Sequence, residues 1–123
     1  MKGTELKEII LEAVNDLKGE SINCIDVRRL TSVADFMVIV TGRSSTHVKA
    51  LSDNVVKEVK KAKFEVIGVE GRAQSEWVLV DAGDIVVHVM LSKIRSLYNL
   101  EELWNFEVSP KIEKKTLISS DLG

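Results

Sequence analysis

Phe36-Met37-Val38-Ile39-Val40-Thr41-Gly42-Arg43-Ser44-Ser45-Thr46 runs from an unbroken apolar, β-branched-rich stretch through a glycine into a cluster of hydroxyls. Such a run fits a central strand covered on both faces. Gly42 ends it, and Ser44, Ser45 or Thr46 is suited to cap a following helix. That helix is predicted from about Thr46 to Ala62, with Val48, Leu51, Val55, Val59 and Ala62 on its buried stripe. Lys57, Lys60, Lys61 and Lys63 crowd its end. The helix dipole favours cations there, and we read them as a solvated helix end in preference to an RNA patch.

Downstream, Phe64 to Ile67 reads as a third strand. The order strand, helix, strand suggests a crossover between neighbouring parallel strands. Gly68-Val69-Glu70-Gly71-Arg72 holds two glycines and reads as a bend or loop. Glu76 to Asp81 and Ile85 to Leu91 are two strong strand patterns joined through Asp81-Ala82-Gly83-Asp84, which is hairpin chemistry. These two strands are antiparallel, so the sheet is mixed. Ser92 can cap a short helix through Leu97. Asn99 can cap another, because Glu102 lies three residues on. Leu100, Leu103, Trp104 and Phe106 form the apolar side of that last helix.

Upstream, Leu6, Ile9, Ile10, Ala13, Val14 and Leu17 recur at helical spacing over Thr4 to Lys18. Thr4 is its expected N-cap and Gly19 its expected end. Ile22 to Val27 is a short strand candidate, and Arg28 to Asp35 a polar loop. The order α-β-β-α-β-β-β-α predicts one compact α/β domain, a mixed sheet with packed helices. We expect this domain to occupy residues 1–108, with a polar tail over 109–123.

The length of 123 residues fits one domain, and 45% hydrophobic with 29% charged residues fits a folded one. Lys and Arg number 17 against 19 Asp and Glu, which argues against a general nucleic-acid binder, since counterion release needs a basic surface. Cys24 is the single cysteine, so an intrachain disulfide and a multi-cysteine zinc site are excluded. With only His47 and His88, a histidine cage is excluded as well. No apolar run is long enough to span a membrane, and the acidic amphipathic start is unlike a signal peptide. A cytoplasmic protein with no metal and no cofactor is the expectation.

Four patterns bear on chemistry. The Gly42 to His47 turn leads from a strand to a helix N-terminus, the geometry of an anion site, with Arg43 adding charge. The preferred alternative is an ordinary junction with hydroxyl caps. A strand, glycine, serine and helix start is also a feature of nucleotidyltransferases, which need two carboxylates to hold a divalent metal. Asp81 and Asp84 are the only acidic pair near a strand, and they fall across a turn, where they are better read as bonding local backbone. Nothing in the spacing brings Cys24 together with a histidine as a thiol–imidazole pair. Strict alternation puts Trp77, Leu79 and Asp81 on one strand face and Val78 and Val80 on the other. His88 falls with Val86 and Met90. If the register places Trp77 and His88 on the same face, they make an amphipathic patch of the kind that anchors protein interfaces. Trp77 buried under a helix is the competing reading.

The string from Asp35 through Ala50 resembles the ribosomal silencing factor family, also called Iojap-like proteins. The resemblance continues through Val69-Glu70-Gly71, Glu76 to Asp81, Val86 to Val89 and Arg95-Ser96-Leu97-Tyr98-Asn99-Leu100-Glu101-Glu102-Leu103-Trp104. At Leu97 the chain departs from a family that often has a second aromatic there. The resemblance implies a fold similar to nucleotidyltransferases without their metal carboxylates, and no enzymatic activity. It implies a translational repressor that binds the large ribosomal subunit through ribosomal protein L-fourteen, with little direct RNA contact. Bound there, such a protein sterically blocks joining of the small subunit and slows translation under nutrient limitation. It also implies homodimers, and for organellar relatives a part in large-subunit assembly. The positions matching the family's recurring surface motifs are Trp77, Asp81, His88, Arg95, Tyr98, Leu100, Glu101 and Trp104.

Overall fold

In the computed structural model, which describes residues 2–98, the elements follow in the anticipated order. They are α1 (Lys2–Asp16), β1 (Glu20–Asp26), β2 (Phe36–Gly42), α2 (Ser45–Lys61), β3 (Gly68–Glu70), β4 (Trp77–Asp81), β5 (Ile85–Leu91) and α3 (Ser92–Tyr98). The five strands form one sheet in the order β1-β2-β5-β4-β3. β2 and β5 are parallel, and the other neighbours are antiparallel. The predicted mixed α/β sheet is therefore present. The predicted last helix from Asn99 and the tail over 109–123 lie outside the described residues.

One face of the sheet is covered by α1 and α2. Val38 and Val40 of β2, Val78 and Val80 of β4, and Val87 and Val89 of β5 meet Leu6, Ile10 and Val14 of α1 and Val48, Leu51, Val55 and Val59 of α2. Burying each such side chain contributes about 1.5–3 kcal/mol before entropy is counted. Asn54 Nδ2 donates to the Ala13 carbonyl at 2.9 Å and ties the two helices together. On the opposite face Met37, Ile39 and Met90 are closed over by Val27 and Ala34 from the loop after β1, with Ile94 of α3 at the margin. β2 is thus covered on both faces, as its unbroken apolar run requires. Trp77, Leu79 and Val86 on that second face stay only half-buried.

Several expectations change. α1 already includes Lys2, so Thr4 lies inside the helix and is not its N-cap. Backbone helix bonding continues upstream of the hydroxyl. The helix ends at Asp16, and the left-handed residue after it is Lys18, at φ 61°, not Gly19. Gly19 serves close approach instead: a Cβ there would sit 2.6 Å from Val40 Cγ2.

Phe64 to Ile67 is not a strand. Phe64 and Val66 are partly buried against the core from outside, which accounts for their apolar alternation without a ladder. The edge strand forms at Gly68–Glu70, the segment read as a bend, where Val69 pairs with Val80. The crossover from β2 through α2 therefore does not reach a neighbouring strand. α2 packs across β4 and β5 as well as β2, so the chain emerges at the far edge. The returning β4–β5 hairpin then fills the gap and supplies β2 with its parallel partner.

Candidate partner-binding face

The second sheet face is built from the loop before β4 inward. Ser75 N–H donates to the Gly71 carbonyl at 3.0 Å, and Ser75 Oγ donates to the Arg72 carbonyl at 2.6 Å. Arg72 forms a two-point bond to Asp53 on α2, at 2.7 and 2.9 Å, and this guanidinium holds the Asp53 carboxyl below the usual range. Leu91 N–H donates to the Glu76 carbonyl at 3.0 Å. The backbone entering Trp77 is therefore fixed from both sides.

The β4–β5 register sets Trp77 opposite Met90 and Leu79 opposite His88. Trp77 and His88 are thus diagonal cross-strand neighbours on one face, within reach for rings of this size. Val78 and Val80 point into the helix-covered core, as alternation predicts. The Trp77 indole Nε1–H donates to His88 Nδ1 at 3.0 Å, with ring centroids 5.9 Å apart and planes tilted by 49°. His88 is only 7% exposed, and burial pushes its pKa down to about 4. It is a neutral, hydrogen-bonded group beneath a half-exposed indole. Trp77 itself packs against the smaller core cluster of Ile39, Met90 and their neighbours. It is partly buried there, with Ile94 of α3 in the same cluster.

The other matched positions lie apart from this pair. Asp81 is on the same face at the hairpin end, where its Oδ1 accepts from Gly83 N–H at 2.9 Å. That is the local backbone role expected of a turn carboxylate. Arg95 of α3 donates to the Ser21 carbonyl at 2.6 Å and to Thr41 Oγ1 at 2.8 Å, tying α3 to β1 and β2. Tyr98 ends α3. Its side chain, with Leu100, Glu101 and Trp104, lies outside the described residues.

The Gly42 to His47 turn is a capped junction. Ser44 Oγ accepts from His47 N–H at 3.1 Å, and Arg43 N–H is taken by His47 Nδ1 at 2.9 Å. His47 Nε2 donates in turn to the Leu17 carbonyl at 2.8 Å, so the ring joins the end of α1 to the start of α2. Both imidazoles are committed, and Cys24 pairs with Val38 on the sheet face away from His88. No thiol–imidazole pair is assembled from these residues. Among the described residues no group of three or more His, Cys, Asp or Glu is placed to hold a metal ion. No helix among them is long and apolar enough to cross a membrane.

Sequence reasoning did not single out Arg72 with Asp53, or the close packing at Gly71. A Cβ on Gly71 would lie 2.2 Å from the Trp77 carbonyl oxygen. An ion pair between the middle of one helix and a distant loop leaves no periodic trace. The Val69-Glu70-Gly71 motif was the one available signal for Gly71.

The fold and this face define a single-domain α/β protein whose second sheet face carries a partly exposed tryptophan bonded to a buried histidine. The family described as "Ribosomal silencing factor during starvation" matches residues 2–121, running past Trp104, where the motifs quoted above end. The chain belongs to the ribosomal silencing factor family. It is 44% identical over 104 residues to the ribosomal silencing factor RsfS of Chromobacterium violaceum, covering 85% of each chain. A crystal structure of a Chromobacterium violaceum protein superimposes with a TM-score of 0.84 at 44% identity, covering 85% of this chain and 88% of that one. A mouse relative, "Mitochondrial assembly of ribosomal large subunit protein 1", is 30% identical over 100 residues, which is 79% of this chain and 44% of that protein.

Proposed function

We propose that the chain acts by occupying a site and carries out no reaction of its own. It binds the large ribosomal subunit in the cytoplasm through ribosomal protein L-fourteen and blocks joining of the small subunit, slowing translation under nutrient limitation. The observation that carries this reading is Trp77, a half-exposed aromatic held in one orientation by its own hydrogen bond, in a chain of this family. Aromatic anchors of this kind dominate binding energy at protein interfaces. A bound domain of this size cannot share its site with a packed subunit.

Charge supports a protein contact over an RNA contact. With 17 basic and 19 acidic residues the chain has no excess to neutralise phosphates. A contact to about six to ten phosphates would lose on the order of 10³–10⁵ in affinity between about 50 and 200 mM salt. We expect a loss of about tenfold or less over that range. Asp81, and Glu101 outside the described residues, are the candidates for steering a basic partner. The check is a salt titration of co-sedimentation with isolated large subunits, paired with binding to the isolated ribosomal protein. A steep slope with no binding to the isolated protein would make RNA the main partner.

Trp77→Ala is expected to weaken large-subunit binding by about 2 kcal/mol or more. Its cost in stability should stay below the roughly 3–5 kcal/mol of a fully buried aromatic, because the residue is only partly buried. Measuring both decides: a variant that unfolds readily while its folded fraction binds normally makes Trp77 a packing residue. The name of the mouse relative favours a second reading, assistance in assembling the large subunit. Accumulated large-subunit precursors in a deletion strain growing on rich medium would select it.

A further inference from the structure

We infer that His88 is a positioning residue, which aims the Trp77 ring at the partner by taking up its indole N–H. The inference rests on Trp77 being a partner contact, as proposed above. Trp77 and His88 sit on adjacent antiparallel strands whose backbones are held by the ladder and by the bonds at Glu76 and Gly71. The ring packs on one side against the smaller core cluster, and the 3.0 Å bond to His88 Nδ1 adds a directional constraint on its orientation.

An acceptor at Nδ1 exists only if that nitrogen is unprotonated, so the ring proton resides on Nε2. Burial keeps the ring neutral, with its pKa at about 4. The bond therefore persists throughout the range of cellular pH. Trp77 is only partly buried, so an indole that loses this bond is held less firmly, and a partner would have to reorder it at a cost in affinity.

The test combines one measurement on the unaltered protein with three variants. In the unaltered chain, long-range nitrogen–proton NMR of His88 is expected to show the Nε2–H tautomer, with the Trp77 indole proton shifted downfield by its imidazole acceptor. An Nδ1–H tautomer would overturn the inference, and this readout needs no variant to fold. His88→Leu keeps the volume and removes the acceptor. It is expected to bind large subunits about tenfold more weakly, roughly what losing one ordering hydrogen bond gives. His88→Asn keeps an acceptor near the Nδ1 position and is expected to restore binding to within about threefold of the unaltered chain. A folded His88→Leu that binds normally, or a His88→Asn no better than His88→Leu, overturns the inference. Trp77→Ala separates the two levels. If it binds normally, the proposed face is wrong. If it loses binding while His88→Leu does not, only the positioning role fails.

Discussion

Gly71→Ala is expected to destabilise the chain by about 3 kcal/mol or more, the sum of two strains at one position. Gly71 has φ +87°, a left-handed conformation that costs an L-residue about 1–2 kcal/mol. The added Cβ would also lie 2.2 Å from the Trp77 carbonyl oxygen, which is backbone and cannot rotate away. Relieving it means shifting the start of β4, and overpacking of this kind costs about 1–3 kcal/mol. For a domain of this size that is a fall in thermal midpoint on the order of 10 °C or more. Moving the Trp77 backbone also moves the indole away from His88, so binding by the folded fraction should fall as well. Gly68→Ala is the control, because nothing lies within 4 Å of its Cβ position. Melting curves for the two variants decide; equal midpoints would mean that the 71–76 loop absorbs the strain.

Acidification from pH 7 to about pH 4 is expected to remove about 3 kcal/mol of stability through His88 alone. Burial lowers its pKa from 6.5 to about 4 in the folded chain, and each pKa unit corresponds to about 1.4 kcal/mol. Between those two values the unfolded chain binds the proton and the folded chain does not. Stability is therefore fully present above about pH 6.5 and declines as the pH falls towards about 4. The Arg-paired carboxyls titrate lower still: Asp26, hydrogen-bonded to Arg28, lies at about 2. Their loss belongs to a separate, more acidic window. Urea unfolding of the unaltered chain and of His88→Asn at pH 7, 5.5 and 4.5 measures the effect. The stability curves should converge as the pH falls, because the asparagine has no proton to take up. Parallel curves would show that His88 does not carry the acid dependence.

The element order, the hairpin and the helix stripes were legible in the residues themselves. Each rests on a short period: alternation along Trp77 to Asp81, three-to-four spacing along Val48 to Val59, and turn chemistry at Asp81 to Asp84. Neighbours in sequence suffice to write such patterns, so they survive without the fold. The presence of Trp77 and Asp81 on one strand face was legible for the same reason. The motif blocks around Gly42, Trp77 and Arg95 pointed to the family, though not to which of their residues touch a partner and which hold the chain together.

Only the tertiary structure decided the rest. That β5 lies beside β2, and that Gly68–Glu70 is the far edge, depends on where α2 delivers the chain across the sheet. An edge strand containing glycine has too few side chains to announce itself, and it exists because Val69 finds Val80. The bond from Trp77 to His88 requires a register, the bond from Arg72 to Asp53 a docked helix, and the contact of Gly71 with the Trp77 carbonyl a closed loop. Each joins groups brought together by long-range packing, whose energy depends on distances that no local periodicity encodes.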